Sequence, residues 1–150
     1  MTRNKWKRWL FSFLDLLWLV FIWSNSLKSR TASAAQSKPL EDFIKPPLEA
    51  IGIKKNIDFW AELIVRKGAH AAEFFLLTVL TYSVLCAWGV ARKKSLRIAA
   101  VFSVIAAAVD ETLQIFSNRG AAFSDVLVDS AGVLVALILL RAICKKRKYN

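Results

Sequence analysis

The sequence predicts an all-α membrane protein: four transmembrane helices, both termini cytoplasmic, and a long extracytoplasmic loop between helices 1 and 2. Three observations lead there. The 150 residues are 56% hydrophobic and yet carry a net charge of +11. A soluble domain mixes charged and apolar residues at short period, whereas here they separate into long blocks. The blocks form four apolar runs, at about residues 10–26, 65–88, 96–116 and 124–143, close to the ~20 residues that a helix needs to cross a bilayer.

Residues 1–9 hold Arg3, Lys5, Lys7 and Arg8 and no acid. The first run follows, interrupted by Asp15, and its 17 residues are at the short end for a span. A cleaved signal peptide is the competing reading, because Ala32-Ser33-Ala34 resembles a cleavage site. Lys28 and Arg30 intervene, and that site lies far beyond the apolar core, so the run is read as a retained span. Asp15 either faces other helices or has a functional role. Residues 28–62 read as a loop, Ser/Ala-rich at first and then carrying Pro39, Pro46 and Pro47. Leu48, Ile51, Ile53, Ile57, Phe59, Trp60 and Leu63 give its second half a partly amphipathic pattern. Either an interfacial helix or an irregular loop fits, since Gly52 weakens the helix. The second span opens with Arg66, Lys67, His70 and Glu73 and is apolar thereafter. No internal repeat is visible, and the spans lie too close together for separate domains, so residues 1–150 read as a single membrane domain.

Charge sets the predicted orientation. With both termini inside, the cytoplasmic segments hold thirteen basic residues and no acid, among them Arg92, Lys93, Lys94 and Arg97 between spans two and three and Lys145, Lys146, Arg147 and Lys148 at the end. The opposite orientation would translocate all of them, against the positive-inside rule. Membrane topology also accounts for the basic balance better than nucleic acid does, because the cations sit at the ends of apolar runs rather than among exposed aromatics. Cys86 and Cys144 form no metal-ligand spacing or disulfide framework and read as small apolar residues.

This orientation places the polar residues of three spans at one level. Glu73 lies seven residues beyond Arg66, Asp110 six before Phe116 and Asp129 five after Ser124, so all three sit roughly 8–10 Å into their helices. Arg66, His70 and Glu73 share one helix face, as do Asp110 with Gln114, Glu111 with Gln114, and Asp125 with Asp129 and Gly132. Gly132 lets a neighbouring helix approach closely below the polar layer. Turned inward, the stripes surround a pocket open to the outside, with Ser24, Asn25 and Ser26 of the first span adding hydrogen bonds and Arg119 in the outer turn. A purely structural role, with cations pairing acids to hold the bundle, is the simpler alternative. Against it stands number: Glu73, Asp110, Glu111, Asp125 and Asp129 face only Arg66, Lys67, Arg119 and His70, and ionisable groups at membrane depth are expensive.

Two blocks carry a resemblance. Arg66-Lys67-x-x-His70-x-x-Glu73 opens one span; Asp110-Glu111-x-x-Gln114-x-Phe116, then Arg119, then Asp125 and Gly132, joins the next two. Together, in this order and within four spans, they resemble the VanZ-like membrane protein family, in which Asn is frequent near position 129 where this chain has Asp. The family is named for a protein linked to teicoplanin resistance, and its members are multi-pass membrane proteins. The resemblance therefore implies a place in the bacterial cell envelope and, for some members, a part in glycopeptide resistance.

Three function classes follow. In a binding or modulating protein, Arg66, Lys67 and Arg119 hold a phosphate, pyrophosphate or peptide carboxylate by charge-assisted hydrogen bonds; a peptidoglycan lipid precursor or a glycopeptide presents such groups at the outer leaflet. In a membrane-embedded enzyme, the five carboxylates and His70 serve as acid and base, with His70, Glu73, Asp110 and Glu111 the catalytic candidates, or hold a divalent metal, on which Asp125 and Asp129 could place two carboxylates. Magnesium suits these oxygen ligands better than zinc, for which no His or Cys cluster exists. A proton-coupled transporter is disfavoured, because the polar layer stops at mid-depth without an inner half. Membrane lipids are partners in every case.

Overall fold

The computed structural model describes residues 5–117 and 123–146. The chain forms five helices there: α1 (Lys5–Ser26), α2 (Arg30–Ala50), α3 (Ile57–Ala87), α4 (Arg92–Phe116) and α5 (Phe123–Lys146). No strand occurs among the described residues. α1, α3, α4 and α5 are long and apolar enough to cross a membrane, and each matches one of the four predicted runs, α3 ending one residue short of its run at Ala87. The helices overrun those runs at charged ends, starting at Lys5 and Arg92 and ending at Lys146. Lys and Arg are good helix formers, and their long stems let the charge reach the interface while the backbone stays helical.

Cross-helix contacts fix the relative directions. Arg8 Nε donates to the Ala87 carbonyl at 3.0 Å and Trp18 Nε1 to that of Glu73 at 2.9 Å, so α1 and α3 run antiparallel. Trp23 Nε1 donates to the Ala106 carbonyl at 3.4 Å, and Ser117 Oγ, just past α4, to that of Ser26 at 2.8 Å, so α1 and α4 run the same way. α3 and α5 are likewise parallel, meeting at Lys67 with Asp125 at one end and at Tyr82 with Cys144 at the other. α3 packs on all four other helices.

The core is small: Ile22, Phe74, Leu77, Ala106, Ala107 and Val133, flanked by Trp18, Trp23 and Leu137. Large apolar side chains instead cover the outside, with Phe13 62%, Val101 60% and Leu134 58% exposed. That inversion suits hydrocarbon, where the outside gains nothing by being polar. Small residues line the seams, including Ala99, Ser103 and Ala136, and Thr78 Oγ1 donates to Ser103 Oγ at 3.0 Å across α3 and α4. Asp15 faces another helix, accepting from Thr81 Oγ1 at 3.0 Å.

The segment between the first two spans differs from the expected loop. Residues 30–50 are helical throughout, with Pro39, Pro46 and Pro47 inside α2. Ser29 caps it, its hydroxyl accepting from Ala32 N at 3.3 Å, and the Ala, Gln and Lys residues that follow favour a helix. Pro46 and Pro47 fall in the last turns, close to where the helix stops. Glu41 and Leu48 are its buried residues, and α2 packs against α3. The amphipathic pattern over residues 48–63 is not one helix. Gly52 adopts φ +95° and Asn56 a left-handed φ of 55°, which turns the chain from α2 into α3. At 31 residues α3 is long, about 46 Å by helix rise against the ~30 Å of hydrocarbon. Lys45 Nζ lies 2.7 Å from both Asp42 Oδ1 and Asp58 Oδ1, clipping α2 to the start of α3. The Lys45 ammonium beside it holds the Asp42 carboxyl below the usual carboxylate range.

Candidate functional site

The polar stripes of α3, α4 and α5 turn into the bundle, as their spacing predicts. Asp110, Gln114 and Asp129 are completely buried, and His70, Glu111 and Asp125 nearly so. Gly132 makes this possible. A Cβ built there would run into the Ala71 carbonyl oxygen and lie 2.9 Å from its carbon and 3.0 Å from Ala71 Cα. Only glycine therefore lets α5 touch the α3 backbone between His70 and Glu73, which brings the two stripes together.

Three groups of contacts result. On α3 and α5, Asp125 takes the Lys67 ammonium on Oδ1 and Arg66 Nη2 on Oδ2 at 3.4 Å, and Ser124 Oγ donates to it at 3.1 Å. On α1 and α4, Ser26 Oγ donates to Asp110 Oδ1 at 2.5 Å; Gln114 Nε2 donates to Asp110 Oδ2 at 3.0 Å and to Glu111 Oε1 at 3.1 Å. Between them, Asn25 Nδ2 donates to Glu73 Oε1 at 3.4 Å, and His70 Nδ1 stands 3.3 Å from Asp129 Oδ1. Asp110 and Glu73 bond to the adjacent Ser26 and Asn25 of α1, and Asp129 reaches His70 one turn from Glu73, so the three acids expected at one depth share one layer. Ser24 points elsewhere, donating to the Val20 carbonyl of its own helix at 2.6 Å. Arg119 lies outside the described residues.

The layer is incompletely satisfied. Among the described residues, Asp129 Oδ1 and Oδ2, His70 Nδ1, Gln114 Oε1 and Arg66 Nε are buried without a hydrogen bond. The 3.3 Å between His70 and Asp129 is an ion-pair distance without the alignment of a hydrogen bond. Buried polar atoms are nearly always paired, so five such atoms in one layer are unusual.

A cavity of about 260 Å³ opens beside this layer, between the end of α1, the first turns of α2 and the start of α3. Arg66, His70 and Glu73 line it. Lys67, Asp110, Glu111, Gln114, Asp125 and Asp129 are not among its lining residues, and Lys67 is spent on Asp125 rather than standing at the rim. The far wall comes from residues that the motif reading left out, including Lys28, Arg30, Ser33, Gln36 and Ser37. Their signal is present in the sequence: Arg30, Ser33 and Ser37 follow the capping Ser29 at i, i+3, i+7 and make one polar stripe. Lys28 Nζ is held by Asn25 Oδ1 at 2.7 Å and Gln36 Oε1 at 2.8 Å. No group of three or more His, Cys, Asp or Glu side chains is placed to share a metal ion among the described residues.

Four long apolar helices around a buried, partly unpaired polar layer define a multi-pass membrane protein. The VanZ/LLP1 family pattern matches residues 11–145, nine-tenths of the chain, and the chain belongs to that family. It is also similar to the uncharacterized membrane protein YwnJ of Bacillus subtilis (strain 168), with 33% identity over 89 residues. That match covers 59% of this chain and 57% of the relative, so the chain spans little more than half the length of the curated relative. No solved structure matches it significantly.

Proposed function

We propose that the cavity beside α2 faces the outside of the cell and binds the anionic head group of a lipid-linked envelope precursor, or a peptide carboxylate, and that this occupancy is how the chain contributes to glycopeptide resistance of the teicoplanin type. The observation that carries the reading is the cavity's lining. Lys28, Arg30 and Arg66 line it, outnumbering the carboxylates Glu62 and Glu73, and Arg30 has no acid partner among the described residues. Gln36, whose Oε1 accepts from Lys28, adds an amide N–H suited to phosphate or carboxylate oxygens. Size limits the ligand. At about 260 Å³ the cavity is just below the usual range of ligand sites, which suits part of a head group and is too small to enclose a whole glycopeptide. The orientation rests on the thirteen basic residues that it keeps inside. The test is teicoplanin susceptibility of a host expressing the wild-type chain or Arg30→Gln. The reading expects protection from the first and little from the second at equal membrane levels; equal protection from both would refute it.

One observation favours an enzyme as the second reading. His70 and Glu73 reach the cavity while Asp129, fully buried, stands behind His70 Nδ1. A carboxylate at Nδ1 orients the ring and stabilises its protonated form, leaving Nε2 for a substrate proton. Magnesium remains a proposal without a three-ligand set among the described residues. Loss of turnover of a lipid-linked substrate in Asp129→Asn, with binding retained, would distinguish this reading from simple capture.

A further inference from the structure

A second cavity, of about 390 Å³, lies at the opposite end of the bundle. Its walls come from α1, α3 and α5, and Arg92 at the start of α4 closes it. α1 and α5 each pack on α3 and α4 but share no comparable interface with each other among the described residues, which leaves space between them at this end. Phe11, Leu140 and Ile143 make its apolar walls, and Lys7 and Arg92 stand at its mouth.

Among the described residues no acid compensates the charge at the mouth. Arg8 is already used, donating to the Ala87 carbonyl and stacking 5.5 Å over Trp88. Lys7 and Arg92 are exposed, and no described residue pairs with either. Asp15, the nearest acid along α1, lies a turn deeper than Phe11 and accepts from Thr81. Arg92 also begins α4, whose N-terminus has no side-chain cap, so its first amides add positive potential at the same place. Trp9 and Trp88, ring centroids 6.0 Å apart, mark this level as a membrane interface.

We propose that this groove binds an anionic glycerophospholipid of the adjoining leaflet. Its phosphate sits between Lys7 and Arg92, and an acyl chain runs inward along Phe11, Leu140 and Ile143 toward Tyr82. Two cations at the level of the head groups, beside an apolar slot, complement that amphiphile and not a soluble anion. Nothing in the proposal depends on the ligand of the first cavity, since the two sites share no residue.

The test uses the full chain in mild detergent. Phosphatidylglycerol and phosphatidylcholine of identical chains are titrated while native mass spectrometry counts the lipids bound. Phosphatidylglycerol should bind at least about tenfold more tightly, and Lys7→Gln with Arg92→Gln should abolish that preference, two membrane-surface cations being worth about 30-fold. Lys93→Gln with Lys94→Gln removes the same charge outside the groove and should preserve it. Leu140→Trp, which fills the slot, should weaken both lipids, and soluble glycerol phosphate should not compete. Equal loss from the two charge pairs would overturn the proposal in favour of diffuse surface charge. So would competition by glycerol phosphate, or a preference that survives Lys7→Gln with Arg92→Gln. Lys7 and Arg92 are exposed, so these variants should elute and melt like the wild type.

Discussion

Gly132→Ala offers the sharpest test of how the polar layer is assembled. The added methyl would sit 2.9 Å from the Ala71 carbonyl carbon and 3.0 Å from its Cα, and closer still to the oxygen. These are main-chain atoms of a helix, so no rotamer change relieves the overlap, and α3 and α5 must separate. Overpacking at a rigid contact costs about 1–3 kcal/mol, occasionally more, and this site belongs at the upper end. The separation would also pull Asp129 from His70 and Asp125 from Lys67, since both pairs span that seam. Gly68→Ala is the matched control. Gly68 lies within α3 with nothing within 4 Å of its added Cβ, and the change should stabilise by about 0.5–1 kcal/mol through helix propensity. Unfolding in mixed micelles, followed by circular dichroism, measures both. If Gly132→Ala unfolds at the same denaturant concentration as the wild type, the close approach of α5 to α3 is wrong, and the geometry of the polar layer with it.

Lys67→Met should destabilise by about 1–3 kcal/mol in the same assay, less than a fully buried pair, because Lys67 is 27% exposed and Arg66 remains beside Asp125. Adding Asp125→Asn should restore part of the loss; a fully stable Lys67→Met would show the pair to be incidental. For orientation, a cysteine at Ser37 should react with a membrane-impermeant maleimide added to intact cells, while one at Lys93 should not. Labelling at Lys93 alone would place the α2 cavity on the cytoplasmic side.

The spans were legible because hydrocarbon demands long apolar runs and the chain marks their ends with Lys and Arg. The stripe on α3 and those on α4 and α5 were legible because i, i+4 spacing fixes a helix face, and Gly132 because a small residue on such a face implies a close neighbour. α2 was not legible. Pro39, Pro46 and Pro47 argue against a helix, and packing on α3 overrode that local preference. The amphipathic pattern of residues 48–63 was misleading for the opposite reason: Gly52 and Asn56 take positive φ and divide it between two helices. Without α2 the far wall of the cavity could not be foreseen, so Arg30, Ser33 and Ser37 went unnoticed. Lys67 looked like a rim cation, because sequence spacing does not tell which of two neighbouring cations finds Asp125.

Capture of an anionic head group beside α2 is tested most directly by native mass spectrometry of the chain released gently from its own membrane. The account predicts a retained adduct whose mass carries a phosphate, pyrophosphate or carboxylate group. Arg30→Gln combined with Lys28→Gln should remove it, with an unchanged melting profile, while Lys7→Gln combined with Arg92→Gln should leave it in place. A chain that emerges without such an adduct and gains none when a lipid pyrophosphate is added, or one that holds it equally well after both cavity cations are neutralised, would contradict the account.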